Sequence, residues 1–191
     1  GYTYNGLART ASGFTATGLV NGETTAVLTG VTVSGGGTRA GTYTVTPSGT
    51  DTNYNLSFVN GTMTINKAPL IITAIDASKT YDGLAYTGGN GVTYAGFVNG
   101  ETTAALGGVV AYSGTSQNAI NAGTYAITPS GLTASNYALS YVNGTLTVDK
   151  ANATVTANSD TYTYNGLART TSGFTATGLV NRETTGVLTG V

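Results

Sequence analysis

Tyr54-Asn55-Leu56-Ser57-Phe58-Val59-Asn60-Gly61-Thr62-Met63-Thr64-Ile65 is the stretch on which the fold reading turns. Tyr54, Leu56 and Phe58 alternate with Asn55, Ser57 and Val59. Beyond Asn60-Gly61, Met63 and Ile65 alternate with Thr62 and Thr64. A period of two is the signature of a half-buried strand. Asn-Gly between two such runs is the strongest short hairpin signal, because a type I′ turn needs positive φ at both central residues. A two-residue loop would set Val59 opposite Thr62, Phe58 opposite Met63 and Leu56 opposite Ile65, so that apolar faces apolar. The same pattern at Tyr141-Val142-Asn143-Gly144 would pair Tyr141 with Leu146 and Leu139 with Val148.

Working outward, residues 42–46 read as a strand with Tyr43 and Val45 inward, repeated at 124–128 with Tyr125 and Ile127 inward. Pro47 and Pro129, which lack an N–H donor, are expected to end those strands. Leu70, Ile72 and Ala74 share one face of a further strand, matched by Ala153, Val155 and Ala157. Residues 21–28 read as a loop or short helix with Asn21 as its cap. The glycine-rich residues 34–37 read as a turn, because no strand–loop–helix setting for a phosphate loop surrounds them.

The chain repeats itself. Tyr4-Asn5-Gly6-Leu7-Ala8 recurs as Tyr81-Asp82-Gly83-Leu84-Ala85 and as Tyr164-Asn165-Gly166-Leu167-Ala168. Val20-Asn21-Gly22-Glu23 recurs as Val98-Asn99-Gly100-Glu101, and as Val180-Asn181-Arg182-Glu183. Residues 161–191 match 1–31 except that Gly1, Ala11, Gly22 and Ala26 become Thr161, Thr171, Arg182 and Gly186. The second copy is more divergent and carries a short insertion near residues 113–121, expected on a surface loop. The array therefore alternates, with a period of 160 residues separating Tyr4 from Tyr164.

Strand pattern and repeat together predict an all-β chain of tandem small Ig-like β-sandwich modules forming a rod, with β-grasp-like modules as the alternative. The expected modules are 1–66, a β module lacking its first strand; 67–149, a complete module; and 150–191, the first half of a third. Both ends fall inside a module, so the natural protein is expected to continue beyond them. The joint at Asn66-Lys67-Ala68-Pro69 is short, and Pro69 is expected to stiffen it.

Composition narrows the function classes. Charged residues make up 8% of the chain, glycine supplies 29 of 191 residues, and the net charge is −1. Seven lysines and arginines scattered singly form no stripe for phosphates, which argues against nucleic acid. The longest aliphatic run, Leu70-Ile71-Ile72, is far shorter than the ~20 residues of a membrane span. Histidine and cysteine are both absent, which removes the commonest general base, the thiol nucleophile and the usual transition-metal ligands.

The remaining candidates each have a plainer reading. Glu23 with Asp51, or Glu101 with Asp149, could meet as carboxylate pairs, but read as solvated acids. Asp76 or Asp160 could join a calcium site at a joint, yet no Asp-x-Asp-x-Asp loop is present. Asp82 reads as a turn residue bonding its own backbone, like Asn5 and Asn165. Lys67 and Lys150 read as solvated joint residues. Tyr43, Tyr54, Tyr125, Tyr137 and Tyr141 fall on the apolar phase of their strands, which leaves Tyr2, Tyr4, Tyr162 and Tyr164 as the exposed tyrosines able to stack on a sugar. No catalytic, cofactor-binding or metal residue is assigned, no cofactor is expected, and the chain is not expected to be an enzyme.

The run Lys79-Thr80-Tyr81-Asp82-Gly83, then Gly96-Phe97-Val98-Asn99-Gly100-Glu101, Asn121-Ala122-Gly123-Thr124-Tyr125, Ser135-Asn136-Tyr137 and Tyr141-Val142-Asn143-Gly144-Thr145-Leu146-Thr147-Val148-Asp149-Lys150-Ala151 resembles the YDG/MBG-type repeats of large bacterial exoproteins, including filamentous-haemagglutinin-like adhesins. The resemblance implies an extracellular, cell-surface role that is structural or adhesive, and it supplies no catalytic residues. Copies one and three carry Tyr-Asn-Gly where the family pattern has Tyr-Asp-Gly. The expected partners are neighbouring repeats of the same chain, with glycan or host surface and homo-association into filaments or a biofilm matrix as the alternatives.

Overall fold

The computed structural model describes residues 1–190; Val191, the last residue of the expected third module, lies outside them. The protein is all-β, built of sandwich-type modules, and its only helical elements among the described residues are three-residue 3₁₀ turns at Thr25–Val27, Thr103–Ala105 and Thr185–Val187. It forms two compact units, each assembled from several segments.

The first unit comprises Gly1–Ile72, Tyr94–Val110 and Gly131–Ser140. Its four-stranded sheet runs in the order Tyr2–Thr3, Gly61–Asn66, Gly41–Gly49, Val31–Ser34. The first pair is parallel and the other two antiparallel. Arg9–Thr10 pairs with Gly36–Gly37, so the glycine-rich segment read as a turn is a short strand. A three-stranded sheet with Ala68–Ala74 between Tyr137–Val142 and Val92–Ala95 contributes residues 68–72, 94–95 and 137–140 to this unit. Ala68, Leu70, Ile72 and Ala74 are the buried face of that central strand, as the period of two requires. The core gathers Tyr4, Met63 and Ile65 from the first copy with Ala68, Leu70 and Tyr137 from the second.

The second unit comprises Thr73–Thr93, Ala111–Ser130 and the described residues from Tyr141 on. A four-stranded sheet of the same order as the first, Gly107–Ser113, Gly123–Thr133, Gly144–Asp149, Ala77–Thr80, with the last pair parallel, contributes residues 111–113, 123–130, 144–149 and 77–80 to this unit. Ala74, Ala119, Ile127, Leu146 and Val148 form the core. Thr154–Ala157 pairs with Phe174–Thr177 in a separate antiparallel ribbon.

Four further expectations are corrected. The hairpins at Asn60-Gly61 and Asn143-Gly144 do not form. Gly61–Asn66 has both edges occupied, by Gly41–Gly49 and Tyr2–Thr3, so residues 54–59 cannot add to it. Neither Gly61 nor Gly144 has positive φ. Gly144 is needed for space instead: a Cβ there would lie 2.7 Å from the Ala74 carbonyl oxygen.

Pro47 and Pro129 do not end their strands, which run on to Gly49 and Thr133. Beyond Val45 the first of these strands is paired on one side only, so an absent N–H forfeits no ladder bond. The 113–121 insertion is not a plain surface loop, because Ser116 is buried and Ala119 belongs to the core. The joint is tighter than expected, with Lys67 alone separating Gly61–Asn66 from Ala68–Ala74; Pro69 lies inside the second strand.

Candidate functional site

Two turns, both repeated in sequence, meet each other. The first is Tyr-Asn/Asp-Gly. Asn5, Asp82 and Asn165 each accept a hydrogen bond through Oδ1 from the backbone N–H two residues on, at Leu7, Leu84 and Leu167. This Asx geometry carries the chain into the left-handed region at the following glycine, with φ of 75°, 71° and 75° at Gly6, Gly83 and Gly166. At Asp82 the Lys79 ammonium adds an ion pair of 2.7 Å. That donor and the Leu84 N–H hold the Asp82 carboxyl below its ordinary value.

The second turn is Val-Asn-Gly-Glu. Asn99 and Gly100 have φ of 52° and 71°, closed by the Glu101 N–H donating to the Val98 carbonyl. Asn21-Gly22 has the same shape, at 52° and 72°. Asn-Gly therefore does make a turn with both residues at positive φ here, where the sequence suggested a loop or a helix cap. The cap of the adjoining 3₁₀ turn is Thr24 or Thr102, whose Oγ1 accepts from Ala26 or Ala104 N–H. The third copy holds Arg182 at φ 63°, a position that disfavours any side chain with a Cβ.

In the first unit the Tyr4 turn of copy one docks on the Asn99 turn of copy two. Asn99 Nδ2 donates to the Gly6 carbonyl at 3.5 Å. A Cβ on Gly6 would lie 2.6 Å from Asn99 Cβ, so glycine is required twice over, for φ and for approach. The Tyr4 hydroxyl donates to Glu101 Oε1, while Tyr137 of the second copy donates to Oε2 of the same carboxylate. Tyr137 in turn accepts from the Val98 N–H at 3.2 Å. Tyr4, Tyr137 and Phe97 stack edge-on, with centroids 5.7 and 5.5 Å apart.

The second unit repeats this latch from different residues. Asn181 Nδ2 donates to the Gly83 carbonyl at 3.0 Å, and the Tyr81 hydroxyl donates to Glu183. A Cβ on Gly83 would lie 2.5 Å from Asn181 Cβ. Gly166 keeps the same φ with nothing within 4 Å of its Cβ position, and Tyr164 is 94% exposed. The Tyr-x-Gly turn is thus preformed, and docking adds to it without reshaping it.

Charge is local to the latch. Hydrogen bonds from Tyr137 and then Tyr4 hold the Glu101 carboxyl below its ordinary 4.5. The bond to Glu101 raises Tyr4 above 10.0, as burial and then the same carboxylate raise Tyr137. A lowered carboxyl stabilises the fold fully above its ordinary value, and that contribution fades as pH falls through the lowered one. The raised phenols contribute below pH 10.0 and lose that contribution as pH rises through their shifted values. Glu101→Gln, which cannot ionise, is expected to flatten the acid limb of a Tm-against-pH profile below about pH 4.5 and, because the same carboxylate raises Tyr4 and Tyr137, to weaken the alkaline limb as well. An unchanged acid limb would contradict the assignment.

Other candidates fall elsewhere. Tyr4, expected to be exposed, is buried by its partners, whereas Tyr2, Tyr162 and Tyr164 are exposed. Glu23 accepts from the Tyr54 hydroxyl, and Asp51 caps the backbone N–H groups of Asn53 and Tyr54. Asp76 accepts from the Thr145 N–H, and the Asp149 carbonyl from the Tyr81 N–H. The Tyr162 hydroxyl bonds Asp160. Lys67 donates to the Ala134 carbonyl, and Lys150 is exposed. Among the described residues no three acids cluster as a metal site.

Sequence reading missed Glu101 and Asn99 as docking residues. The available signal was a loop tetrapeptide repeated three times although neither core nor strand demands it.

A family model described as the MBG domain of YGX type matches residues 2–64 and again 70–147. No curated protein matches the chain, and no solved structure does.

Proposed function

The chain belongs to the MBG domain family of YGX type, and from that premise we propose that it is a non-enzymatic structural segment of a bacterial extracellular repeat adhesin, a stalk or fibre at the cell surface. Its modules are 1–66, 67–149 and 150–191, and their partners are neighbouring repeats of the same chain. One observation carries the reading: the same latch is built twice, each time from the Tyr-x-Gly turn of one copy and the Asn-x-Glu turn of the next. A junction repeated with its detail intact is what a tandem array needs to keep each copy in register with its neighbour. Electron microscopy of a longer tandem array is expected to show thin, evenly wide threads. Compact globules would overturn the reading.

A second reading, that the modules themselves bind glycan or host surface, draws on Tyr2 and Tyr162. Both are exposed, and each is backed by an arginine, Arg9 at 5.0 Å and Arg169 at 5.3 Å from the ring centroid. An arginine that orients a ring leaves its other face for a sugar. Saturable binding on a glycan array, lost in Tyr2→Ala with Tyr162→Ala, would favour this reading; no binding across the array favours the stalk.

A further inference from the structure

In each of the first two copies a strand near the start of the module lies parallel to its last strand. Ala77–Thr80 pairs with Leu146–Asp149, Ala77 opposite Leu146 and Thr80 opposite Asp149. Tyr2 and Thr3 pair in the same sense with Ile65 and Asn66. Both ladders are prolonged at the same end by a backbone bond. The Tyr4 N–H donates to the Asn66 carbonyl at 2.8 Å, and the Tyr81 N–H to the Asp149 carbonyl at 2.7 Å. In the second copy a side chain prolongs the other end, where Asp76 Oδ1 accepts from the Thr145 N–H at 2.7 Å.

The two strands of the second ladder are unequally held. Leu146–Asp149 lies inside its sheet, paired on its other side with residues 123–127, and Leu146 and Val148 are buried in the core. Ala77–Thr80 is the edge strand, last in the order of that sheet. The chain enters this edge strand at its N-terminal end and leaves the module from the C-terminal end of Leu146–Asp149. Tension on the chain therefore pulls two parallel strands from opposite ends and drives them to slide. Every bond across the ladder then bears load together. In an antiparallel pair the same two ends would lie side by side, and the bonds would open one at a time.

We propose that this parallel ladder is a force-bearing clamp: pulled along the chain, the module resists in shear, and Asp76 fastens the end where the load enters. The inference rests on the stalk reading, since a chain held at one end and pulled at the other is what needs it. Resistance to forced unfolding is set by the barrier to sliding and not by equilibrium stability. Ala77 and Lys79 are the half-buried face of the edge strand. A slide of one residue would turn both outward, so the next register offers no resting point.

The chain has no cysteine, so introduced thiols alone attach the handles. Ile75→Cys with Asp149→Cys loads the ladder in shear. Thr80→Cys with Asp149→Cys peels the same strands apart from one end, and all three positions are exposed. In single-molecule pulling at one speed, the first pair is expected to rupture at about twice the force of the second or more, because shear divides the load over the ladder. Asp76→Ala is expected to lower the shear force and leave the peeling force as it was, since peeling starts at the other end. Asp76→Asn, which keeps an acceptor, should restore it. A urea midpoint shared by the two handle variants assigns the difference to the direction of load.

Equal forces in the two directions would overturn the proposal. So would an Asp76→Ala loss of the same size in both directions, or no loss in shear. None of these results touches the stalk reading, which electron microscopy tests separately. Globules there would remove the need for a clamp and leave the force ratio in place.

Discussion

Tyr137→Ala is expected to lower the unfolding free energy by about 3–5 kcal/mol, the range for emptying a buried aromatic site. Tyr137 is 1% exposed and lies edge-on against both Tyr4 and Phe97, so alanine leaves a hole that two rings cannot both fill. The hydroxyl can be separated from the ring. Tyr137→Phe keeps the packing but leaves the Val98 N–H without its acceptor and Glu101 with one donor fewer, an expected loss of about 1–3 kcal/mol. Urea unfolding followed by circular dichroism measures both, and an unchanged m-value assigns the change to stability. If phenylalanine proved as damaging as alanine, the ring packing would not be the larger effect.

Leu146→Ala is expected to cost about 2–5 kcal/mol, with its consequences in a different part of the chain. Leu146 is fully buried on the central strand of its sheet, opposite Tyr125 on one side and Ala77 on the other, and packs in the core with Ile127 and Val148. Each compact unit has its own core, so the two substitutions should read out separately by amide hydrogen exchange. Tyr137→Ala should accelerate exchange mainly in strands such as Gly61–Asn66, and Leu146→Ala mainly in residues 123–130 and Ala77–Thr80. Uniform acceleration by either would mean one cooperative block instead of two units.

The strands were largely legible because burial on one face writes a period of two into the chain. Residues 61–66 and 68–74 show it and bury the faces expected, residues 41–49 half-bury theirs, and residues 54–59 show it yet form no strand. Pairing was not legible, since periodicity says which side of a strand is apolar and nothing about which neighbour it meets. Asn60-Gly61 illustrates the gap. The dipeptide carries the composition of a hairpin turn, but the following strand already has two neighbours, and Gly61 has no positive φ and room for a Cβ, 3.8 Å from Val45 Cβ. At Asn99-Gly100 the same dipeptide does turn with positive φ. Only the tertiary context distinguishes them.

The latch was half visible. Repetition marked both turns, and the Asx role of Asp82 follows from its chemistry, as Leu84 N–H confirms. What sequence could not supply was the partner. Tyr4 sits in no alternating strand and reads as exposed, yet its hydroxyl reaches a carboxylate 97 residues away. A contact of that range depends on how the sheets of adjacent copies pack.

A double-mutant cycle on Tyr4→Phe and Glu101→Gln is the most direct measurement of whether adjacent copies are latched through these turns. Coupling of about 1 kcal/mol is predicted between Tyr4 and Glu101, with simple additivity for Tyr4→Phe combined with Glu183→Gln, whose carboxylate serves Tyr81 instead. Additivity in the first pair, or equal coupling in both, would contradict the account.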